Sequence, residues 1–390
     1  MEQTRFQRPL RILHLMSTWR WTGVAEPALS VALWHQKWGH KTWVAGIWGR
    51  SFEEQAQTRG ANLAREIPLS LDYNPFRQWA LIGAIVRFCA DHQIDIIHAH
   101  LPHDHWLAVL ALLKLKTKSV RMVRTFHRYE KPRMDPAHRW LYERKTDALI
   151  TVSRAQGEML QECFPRAKAR IHVVHGGVDP EVFRYDDAGR REVRADMGER
   201  LDARVAGLVA HLGYNRGIQW LLAAAPSVVE AVPNATIWIV GDGEMRQFLR
   251  KELRKPCYRR RVLLAGYRSN DLPQVYSALD VGLLLGLGSE GTARAALETM
   301  ATGRPVIAVR KGALIDTITH GEDGLLIEEN DVPALQKALI DLLSNPLLAQ
   351  KMGEKAREKI ISSFTEEVRA RRTLDLYFSL LQQGGLSEQA

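Results

Sequence analysis

One stretch of the chain, from Gly286 to Val306, combines a glycine-rich turn with a helical pattern and two carboxylates. A buried strand is predicted to end at Leu285. A helix is predicted to begin near Gly291 and to end at Gly303, with Pro305 just beyond it. Its first turn consists of Gly, Thr and Ala, so a ligand can closely approach the backbone N–H groups. Those groups and the helix dipole favour an anion such as a diphosphate.

The two carboxylates, Glu290 and Glu298, are eight residues apart. Eight helical residues rise about 12 Å and return to nearly the same face of the helix. This spacing could hold the two ends of an extended ligand whose phosphates lie at the helix start. The same pattern also fits an N-terminal acid beside the helix dipole and a second acid on the surface.

A second group of candidate residues is the run His98-Ala-His100-Leu-Pro102-His103-Asp104-His105. It approaches the H-x-H-x-D-H zinc motif of metallo-β-lactamase-like hydrolases. Pro102 stands where that motif has an aspartate, and no further ligand pattern follows. We therefore expect these histidines to form hydrogen bonds or to lie at the surface, and we expect no metal.

Tryptophan is concentrated at the start of the chain. Nine of the eleven tryptophans precede residue 150, and Trp19 and Trp21 fall in the loop after the first predicted strand. Aromatic faces stack on sugar rings and also anchor at membrane interfaces. Most of the tryptophans fit core packing, so Trp19 and Trp21 are the candidates for ligand contact.

The net charge of +10 lies in one half of the chain. Residues 1–185 carry 27 Lys/Arg and 17 Asp/Glu, whereas residues 186–390 carry 27 of each. The segment Lys114–Lys145 alone has eleven basic and three acidic residues. This asymmetry indicates an anionic partner, either nucleic acid or membrane, or else a solvated basic face. Nucleic acid is disfavoured because the segment has few aromatic residues and no recognisable binding module.

Length and composition restrict the class of protein. The chain has 390 residues, of which 46% are hydrophobic and 25% charged, as expected for two globular domains. Three widely spaced cysteines, Cys89, Cys163 and Cys257, argue against a disulfide scaffold and a cysteine-based zinc site. Neither a signal peptide nor an apolar run of spanning length is recognised. The expected location is the cytoplasm, with any membrane contact peripheral and on the cytoplasmic face of the inner membrane.

Short apolar runs alternate with helical stretches throughout the chain. The predicted strands are Arg11–Leu15, Lys41–Ile47, Ile94–His98, Val120–Thr125, Ala148–Val152, Ile171–Val174, Val205–Ala210, Thr236–Val240, Arg261–Leu264, Val281–Leu285 and Pro305–Val309. Such alternation predicts an α/β fold of two doubly wound, Rossmann-like domains. We expect these at 1–185 and 186–365, with a helix at 366–390 packing back toward the first. The charged segment Tyr185–Arg204 is predicted to be a linker followed by a helix. Ligands are expected in an inter-domain cleft, at the carboxyl ends of the strands.

These segments together resemble one known family. Glu290-x7-Glu298, followed by Gly303-x-Pro305-Val306, resembles the signature of retaining glycosyltransferases of family 4, which have the GT-B fold. Six further segments resemble that family in order and spacing: Asp95–His100, Thr125–His127, His175–Asp179, Val240–Gly243, Leu263–Tyr267 and Gly321–Leu326. The resemblance runs from about Leu10 to about Tyr377.

The resemblance implies a role for each matching residue. It implies that His127 lies beside the reacting sugar and that Glu290 contacts the sugar hydroxyls. The implied donor-binding residues are Gly23, His211, Arg216, Tyr267, Gly291, Thr292, Ala293 and Glu298, the last on the ribose hydroxyls. The sequence departs from the family at His211, which replaces a permanent cation, and at Thr22-Gly23, which replaces Gly-Gly. Acceptor contacts are expected at Trp19, Trp21 and His100, and membrane contacts at Lys114, Lys116, Lys118 and Arg121.

The implied function is a retaining hexosyltransferase that moves a sugar from a UDP- or GDP-sugar to a hydroxyl acceptor. The position of the charge favours a lipid-linked saccharide, lipopolysaccharide or other cell-envelope glycan as acceptor. No cofactor or metal is implied, because GT-B enzymes use protein cations to stabilise the diphosphate. A sugar-nucleotide epimerase of the GT-B type and a basic nucleic-acid-binding protein are the alternatives. A dehydrogenase is disfavoured because Ser17–Gly23 has no G-x-G-x-x-G motif.

Overall fold

A computed structural model describes the chain at 8–18, 21, 24–115, 119–127, 129–200, 202–258, 260–268, 270–286 and 290–387, with the side chains of 290, 291 and 384–387 not described. The chain divides into two compact units. The first comprises Met1–Gly176 and Glu366–Ala390, and the second comprises Gly177–Thr365. Each unit is built around its own parallel sheet.

The first unit alternates strands and helices from its start. Its elements are β1 Arg11–Met16, α1 Ala25–Lys37, β2 Lys41–Gly46, α2 Ser51–Thr58, α3 Pro75–His92, β3 Ile96–Ala99, α4 Pro102–Leu115, β4 Arg121–Phe126, α5 Pro136–Arg144, β5 Ala148–Thr151, α6 Arg154–Cys163, a 3₁₀ helix Pro165–Arg170 and β6 Ile171–Val173. The six strands pair in parallel in the order β2-β1-β3-β4-β5-β6. The strand order reverses between β1 and β3, so the loops that follow these two strands lie at a topological switch point.

The second unit repeats this plan. Its elements are α7 Asp187–Asp196, β7 Arg204–Val209, α8 Ile218–Ala231, β8 Ala235–Val240, α9 Arg246–Glu252, β9 Val262–Gly266, α10 Leu272–Ala278, β10 Val281–Leu284, α11 Glu290–Ala301, β11 Val306–Val309, α12 Ala313–Thr317, β12 Gly324–Ile327, α13 Val332–Ser344 and α14 Pro346–Ser363. The parallel order is β12-β11-β10-β7-β8-β9, with its switch point between β7 and β10. The predicted α/β fold of two Rossmann-like sheets is confirmed.

Apolar runs form the strands because parallel strands are covered on both faces. All six residues of β8 are buried, and Trp238 at its centre is fully enclosed. Several helices begin where the sequence pairs a capping side chain with proline. Asn74 accepts hydrogen bonds from the N–H groups of Phe76 and Arg77 at the start of α3. Asp135 caps α5 in the same way.

One strand was not predicted, and the helix predicted after Tyr185 has a specific anchor. The strand β12 was not predicted as a strand, since its first three residues fall in the Gly321–Leu326 segment, which was interpreted only through the family resemblance. The charged segment after Tyr185 contains α7, which is anchored to the second unit through Asp280. Arg190 and Arg194 of α7 form ion pairs with this aspartate at 2.8 and 2.9 Å.

The last helix, α15 Glu366–Ser387, belongs to the first unit and packs against α1. His35 of α1 contacts the carbonyl oxygen of Ala370 through Nε2 at 2.8 Å. Ser30 donates a hydrogen bond to Glu366 at 2.8 Å. Among the described residues, no helix is both long and apolar enough to span a bilayer.

Candidate functional site

The donor residues predicted in the second unit lie in the loops at its switch point. His211 and Arg216 follow β7, and Thr292 lies in the first turn of α11, which follows β10. Because β7 and β10 are hydrogen-bonded neighbours, the loops after them leave the same edge of the sheet. This is the position at which open α/β sheets bind their ligands.

The two loops are joined by one hydrogen bond. Arg216 Nη1 donates to Thr292 Oγ1 at 2.7 Å. The guanidinium is half-buried, and desolvation lowers the pKa of Arg216 from its ordinary value. A guanidinium remains protonated under such a shift, so the positive charge stays beside the start of α11.

Two glycines allow this close approach. Gly286 lies against the Arg216 side chain, and a Cβ at this position would come within 3.1 Å of Arg216 Cδ. Gly217 has φ +65°, and a Cβ there would lie 2.5 Å from Leu285 Cβ. Glycine is therefore required at 217 both for the backbone conformation and for packing against the end of β10.

A cavity of about 240 Å³ lies at this edge of the sheet. It is lined by Leu208, Val209, Ala210, His211, Arg216, Leu283, Leu284, Leu285, Gly286, Thr292 and Ala295. An apolar floor with a few convergent polar groups at its rim is typical of ligand sites. Thr292 and Ala293 are buried, and the first-turn N–H groups of α11 are suited to an anion.

Glu298 is held on α11 from two directions. The hydroxyl of Tyr276 on α10 donates to Glu298 Oε2 at 2.9 Å, and Arg294 Nε donates to Oε1 at 2.8 Å. Burial raises the pKa of Tyr276 well above its ordinary value, and the negative charge of Glu298 raises it further, so the phenol keeps its proton. Each carboxylate oxygen accepts more than one hydrogen bond, so this arrangement is compatible with ligand hydroxyls.

Two other predicted donor residues lie at the surface of this unit. His211 is 60% exposed in its side chain and lies 3.1 Å from Glu244, measured from Nε2 to Oε2. Tyr267, just after β9, is 73% exposed. Glu290 and Gly291 begin α11, as the helical pattern predicted, but the side chain of Glu290 lies outside the described part of the chain.

In the first unit, the predicted His127 and His100 are in contact. His100 Nδ1 lies 3.1 Å from His127 Nε2, and His100 Nε2 lies 3.1 Å from His14 Nδ1. All three residues are buried; His14 lies within β1, and His100 and His127 directly follow β3 and β4. Sequence reasoning missed His14, although a histidine within an otherwise apolar strand was a usable signal. It also missed Tyr276, for which the sequence offered no signal.

Of the remaining acceptor and membrane predictions, Trp21, Lys114 and Arg121 lie among the described residues of the first unit. Trp21 is partly buried and packs on the cluster of Met16, Ala25 and Phe52, with the Arg59 guanidinium 5.8 Å from its ring centre. Lys114 is exposed. Arg121 is largely covered and forms an ion pair with Asp147 at 3.4 Å. Trp19, Gly23, Lys116 and Lys118 lie outside the described residues.

One group of described residues has the composition of a metal site. His14, His98 and His100 each bring one nitrogen to within 4.8 Å of the others. Both nitrogens of His98 are already engaged, however, by Tyr377 Oη at 2.5 Å and Thr125 Oγ1 at 2.6 Å. Both nitrogens of His100 are engaged by other histidines as well, which leaves His14 Nε2 without a partner among the described residues. The expectation of no metal stays a prediction.

Comparisons with known proteins cover both units. The family described as Glycosyltransferase Family 4 matches residues 21–182, and the family described as Glycosyl transferases group 1 matches residues 203–345. The D-inositol 3-phosphate glycosyltransferase of Corynebacterium urealyticum is 29% identical over 80% of this chain and 78% of its own length. The GDP-mannose-dependent alpha-(1-6)-phosphatidylinositol monomannoside mannosyltransferase of Mycolicibacterium smegmatis is 28% identical over 83% of this chain and 86% of its own.

Solved glycosyltransferase structures share the fold. A glycosyltransferase from Rickettsia africae superposes with a TM-score of 0.83 at 18% identity, covering 96% of this chain and 99% of its own. Anabaena HepE in complex with UDP-glucose superposes with a TM-score of 0.77 at 18% identity, covering 95% of this chain and 100% of its own. Together, the family matches, the relatives and the two parallel sheets show that the chain belongs to the family 4 type of glycosyltransferases, with the GT-B fold.

Proposed function

We propose that this glycosyltransferase moves a hexose from a UDP- or GDP-sugar to a hydroxyl acceptor with retention of anomeric configuration. The observation that carries the proposal is the hydrogen bond from Arg216 to Thr292 at the rim of the second-unit cavity. It holds a permanent cation beside a helix N-terminus, an arrangement suited to a nucleotide diphosphate.

The leaving group explains why such a site would be useful. A nucleoside diphosphate gains negative charge as the bond to the sugar breaks, so fixed cations and backbone N–H groups lower the barrier. Arg216 and the first turn of α11, with Thr292 and Ala293, would provide this stabilisation. His211 would add a second positive charge only when protonated.

The family resemblance supplies the remaining donor contacts of this proposal. Glu298 would accept hydrogen bonds from the ribose hydroxyls, and Glu290 would contact the hydroxyls of the transferred sugar. Gly23, Tyr267 and the first-unit residue His127 complete the proposed set. We assign Glu290 to positioning and electrostatic work rather than nucleophilic attack.

Relatives support a nucleotide-sugar donor without fixing its base. The mycobacterial relative is GDP-mannose-dependent, whereas the Anabaena structure contains UDP-glucose. Because the proposed site supplies its own cations, we infer that transfer proceeds without a divalent metal ion. Activity that persists in excess EDTA would agree with this inference. Activity that is lost in EDTA and recovered when Mg²⁺ is added would refute it.

We further propose that the acceptor is a glycan or a lipid-linked saccharide at an anionic membrane surface. The outer side of α4 exposes Leu110 and Leu113 next to Lys114, and Lys116 and Lys118 follow in the sequence. Apolar side chains beside lysines match the chemistry of a membrane interface. Trp19 and Trp21 are the proposed acceptor contacts, whereas His100, which is buried between His14 and His127, would act through His127.

A panel of UDP-, GDP- and ADP-sugars tests this function. Thermal-shift or calorimetric binding to one of them names the donor base, and NMR of the product reports whether the anomeric configuration is retained. Absence of binding to every member would overturn the proposal. Release of an epimerised sugar nucleotide without any acceptor would identify an epimerase instead.

A further inference from the structure

Three histidines of the first unit form a continuous chain across three neighbouring strands. His14 lies on β1, His100 follows β3 and His127 follows β4. His14 Nδ1 lies 3.1 Å from His100 Nε2, and His100 Nδ1 lies 3.1 Å from His127 Nε2. Both distances suit nitrogen-to-nitrogen hydrogen bonds, each of which needs one donor and one acceptor.

His14, at one end of this chain, and the central His100 are neutral. His14 and His100 are only 0% and 2% exposed. Desolvation lowers the pKa of His14 to about 3 and that of His100 well below its ordinary value. A neutral imidazole carries a proton on only one nitrogen, so each ring donates at one end and accepts at the other. The two hydrogen bonds must therefore point in the same direction along the chain.

The direction of the two hydrogen bonds is set at the His14 end of the chain. His14 Nε2 is buried and has no hydrogen-bond partner among the described residues. A buried N–H without an acceptor is rarer and more costly than an acceptor without a donor, so the His14 proton belongs on Nδ1. Nδ1 then donates to His100 Nε2, which places the His100 proton on Nδ1. That proton is donated in turn to His127 Nε2.

A fourth histidine fixes the orientation of the central ring. His98 stacks on His100 with ring centroids 4.1 Å apart and an angle of 29° between the planes. His98 is itself held by Tyr377 of α15 and by Thr125 of β4, at 2.5 and 2.6 Å. The central imidazole therefore has little freedom to turn and to reverse its hydrogen bonds.

We propose that His14 and His100 are positioning residues that hold His127 in the tautomer with the proton on Nδ1 and with Nε2 as the acceptor. The consequence for catalysis rests on the proposed function, in which His127 lies beside the reacting sugar. His127 then carries its proton on Nδ1 in a fixed orientation, instead of exchanging between two tautomers.

Long-range ¹⁵N–¹H NMR of histidine-labelled, ligand-free protein tests this chain directly. The His127 signals are identified by their loss in His127→Asn. In the wild type we expect a protonated Nδ1 and an unprotonated Nε2. In His100→Phe, which keeps an aromatic ring but removes both hydrogen bonds, we expect His127 to populate both tautomers. His105→Gln is the matched control, because His105 is also buried but contacts Thr146 and no member of the chain.

Each outcome of this experiment decides the question. An Nε2–H tautomer of His127 in the wild type overturns the proposal, even if His100→Phe fails to fold. So does a His127 spectrum that His100→Phe leaves unchanged. Stoichiometric binding of added Zn²⁺ that shifts the His14 and His100 signals would show a metal site in place of the hydrogen-bonded chain. Since no sugar nucleotide is present, failure of the proposed transferase function would leave the tautomer result intact.

Discussion

The hydroxyl of Tyr276 donates a hydrogen bond to Glu298 Oε2 at 2.9 Å, joining α10 to α11 within the second unit. Both side chains are buried, and Arg294 donates to the other carboxylate oxygen. A carboxylate held at both oxygens has its orientation set before any ligand arrives. Tyr276 thus supports the residue to which the family resemblance assigns the ribose contact.

Loss of the Glu298 carboxylate is expected to abolish transfer, because the proposed ribose contact disappears. Glu298→Ala should therefore retain the fold by circular dichroism and lose turnover. Tyr276→Phe should lower kcat/KM about tenfold, since one orienting hydrogen bond is removed. Tyr258→Phe is the matched control, as it loses a tyrosine hydrogen bond to the Leu222 carbonyl oxygen elsewhere in the unit. Near-wild-type turnover of Glu298→Ala would show that the motif assignment is wrong.

Arg216→Ala is expected to weaken donor binding, because it removes the fixed cation from the start of α11. Charge-assisted hydrogen bonds contribute about 1.5–3 kcal/mol, which corresponds to a roughly 10- to 100-fold rise in the donor Kd. Calorimetry with the donor found in the sugar-nucleotide panel measures this change. Lys337→Ala on α13 removes an exposed cation that pairs with Asp341 and should leave Kd unaltered. Equal effects of the two substitutions would argue against a local role for Arg216.

Asp280→Ala is expected to destabilise the second unit, because Arg190 and Arg194 of α7 would lose their shared carboxylate. Asp280 also accepts a hydrogen bond from the Val205 N–H at 2.8 Å. Breaking a buried pair by removing one partner costs about 3–5 kcal/mol. Urea unfolding measures the loss, and Asp202→Ala is the control, since Asp202 pairs with Arg200 at the surface. An unchanged urea midpoint of unfolding in Asp280→Ala would contradict this account of α7.

Acid is expected to destabilise the first unit through buried histidines such as His35. Desolvation lowers the pKa of His35 to about 4 from its ordinary 6.5. Below pH 6.5 the unfolded chain therefore binds a proton that the folded chain does not. The stabilisation is fully present above pH 6.5 and is lost as the pH falls toward 4, by about 1.4 kcal/mol per pH unit.

Urea unfolding between pH 7 and 4 should show this loss in the wild type and a shallower loss in His35→Gln. Thr42→Ala is a control for destabilisation without titration, because buried Thr42 donates only to the Ala32 carbonyl oxygen. If the free energy of unfolding falls with pH equally steeply in the wild type and in His35→Gln, the assignment to His35 is wrong.

Membrane binding through Lys114, Lys116 and Lys118 is expected to depend on anionic lipid. Each lysine near an anionic surface contributes about 1 kcal/mol. Replacement of Lys114, Lys116 and Lys118 by Glu should therefore reduce co-sedimentation with vesicles that contain phosphatidylglycerol. Lys337→Glu, in the second unit, should have no effect. Binding of the wild type that is insensitive to salt or to anionic lipid would exclude this surface.

Local signals in the sequence were sufficient for most of the fold. Continuous apolar runs such as Ala235–Val240 predict buried parallel strands, because both faces of such strands are covered. The Gly-Thr-Ala turn before Glu298, together with Gly303 and Pro305, predicts α11 and its N-terminal anion site. These features depend on residues close together in the chain, where propensity and capping are decided. Length does not explain the missed β12, because β10 and β11 also have four residues and were predicted.

The partners of the site residues were decided by the order of the strands. Tyr276 reaches Glu298 from another helix, and His14 reaches His100 because β1 pairs with β3. The run from His98 to His105 suggested a local metal motif, yet the sheet combines its first two histidines with His14 and His127. Local composition therefore specified the elements and the residue types at their ends. The tertiary pairing of distant strands selected which buried nitrogens and oxygens meet, because hydrogen bonding depends on distance in space and not along the chain.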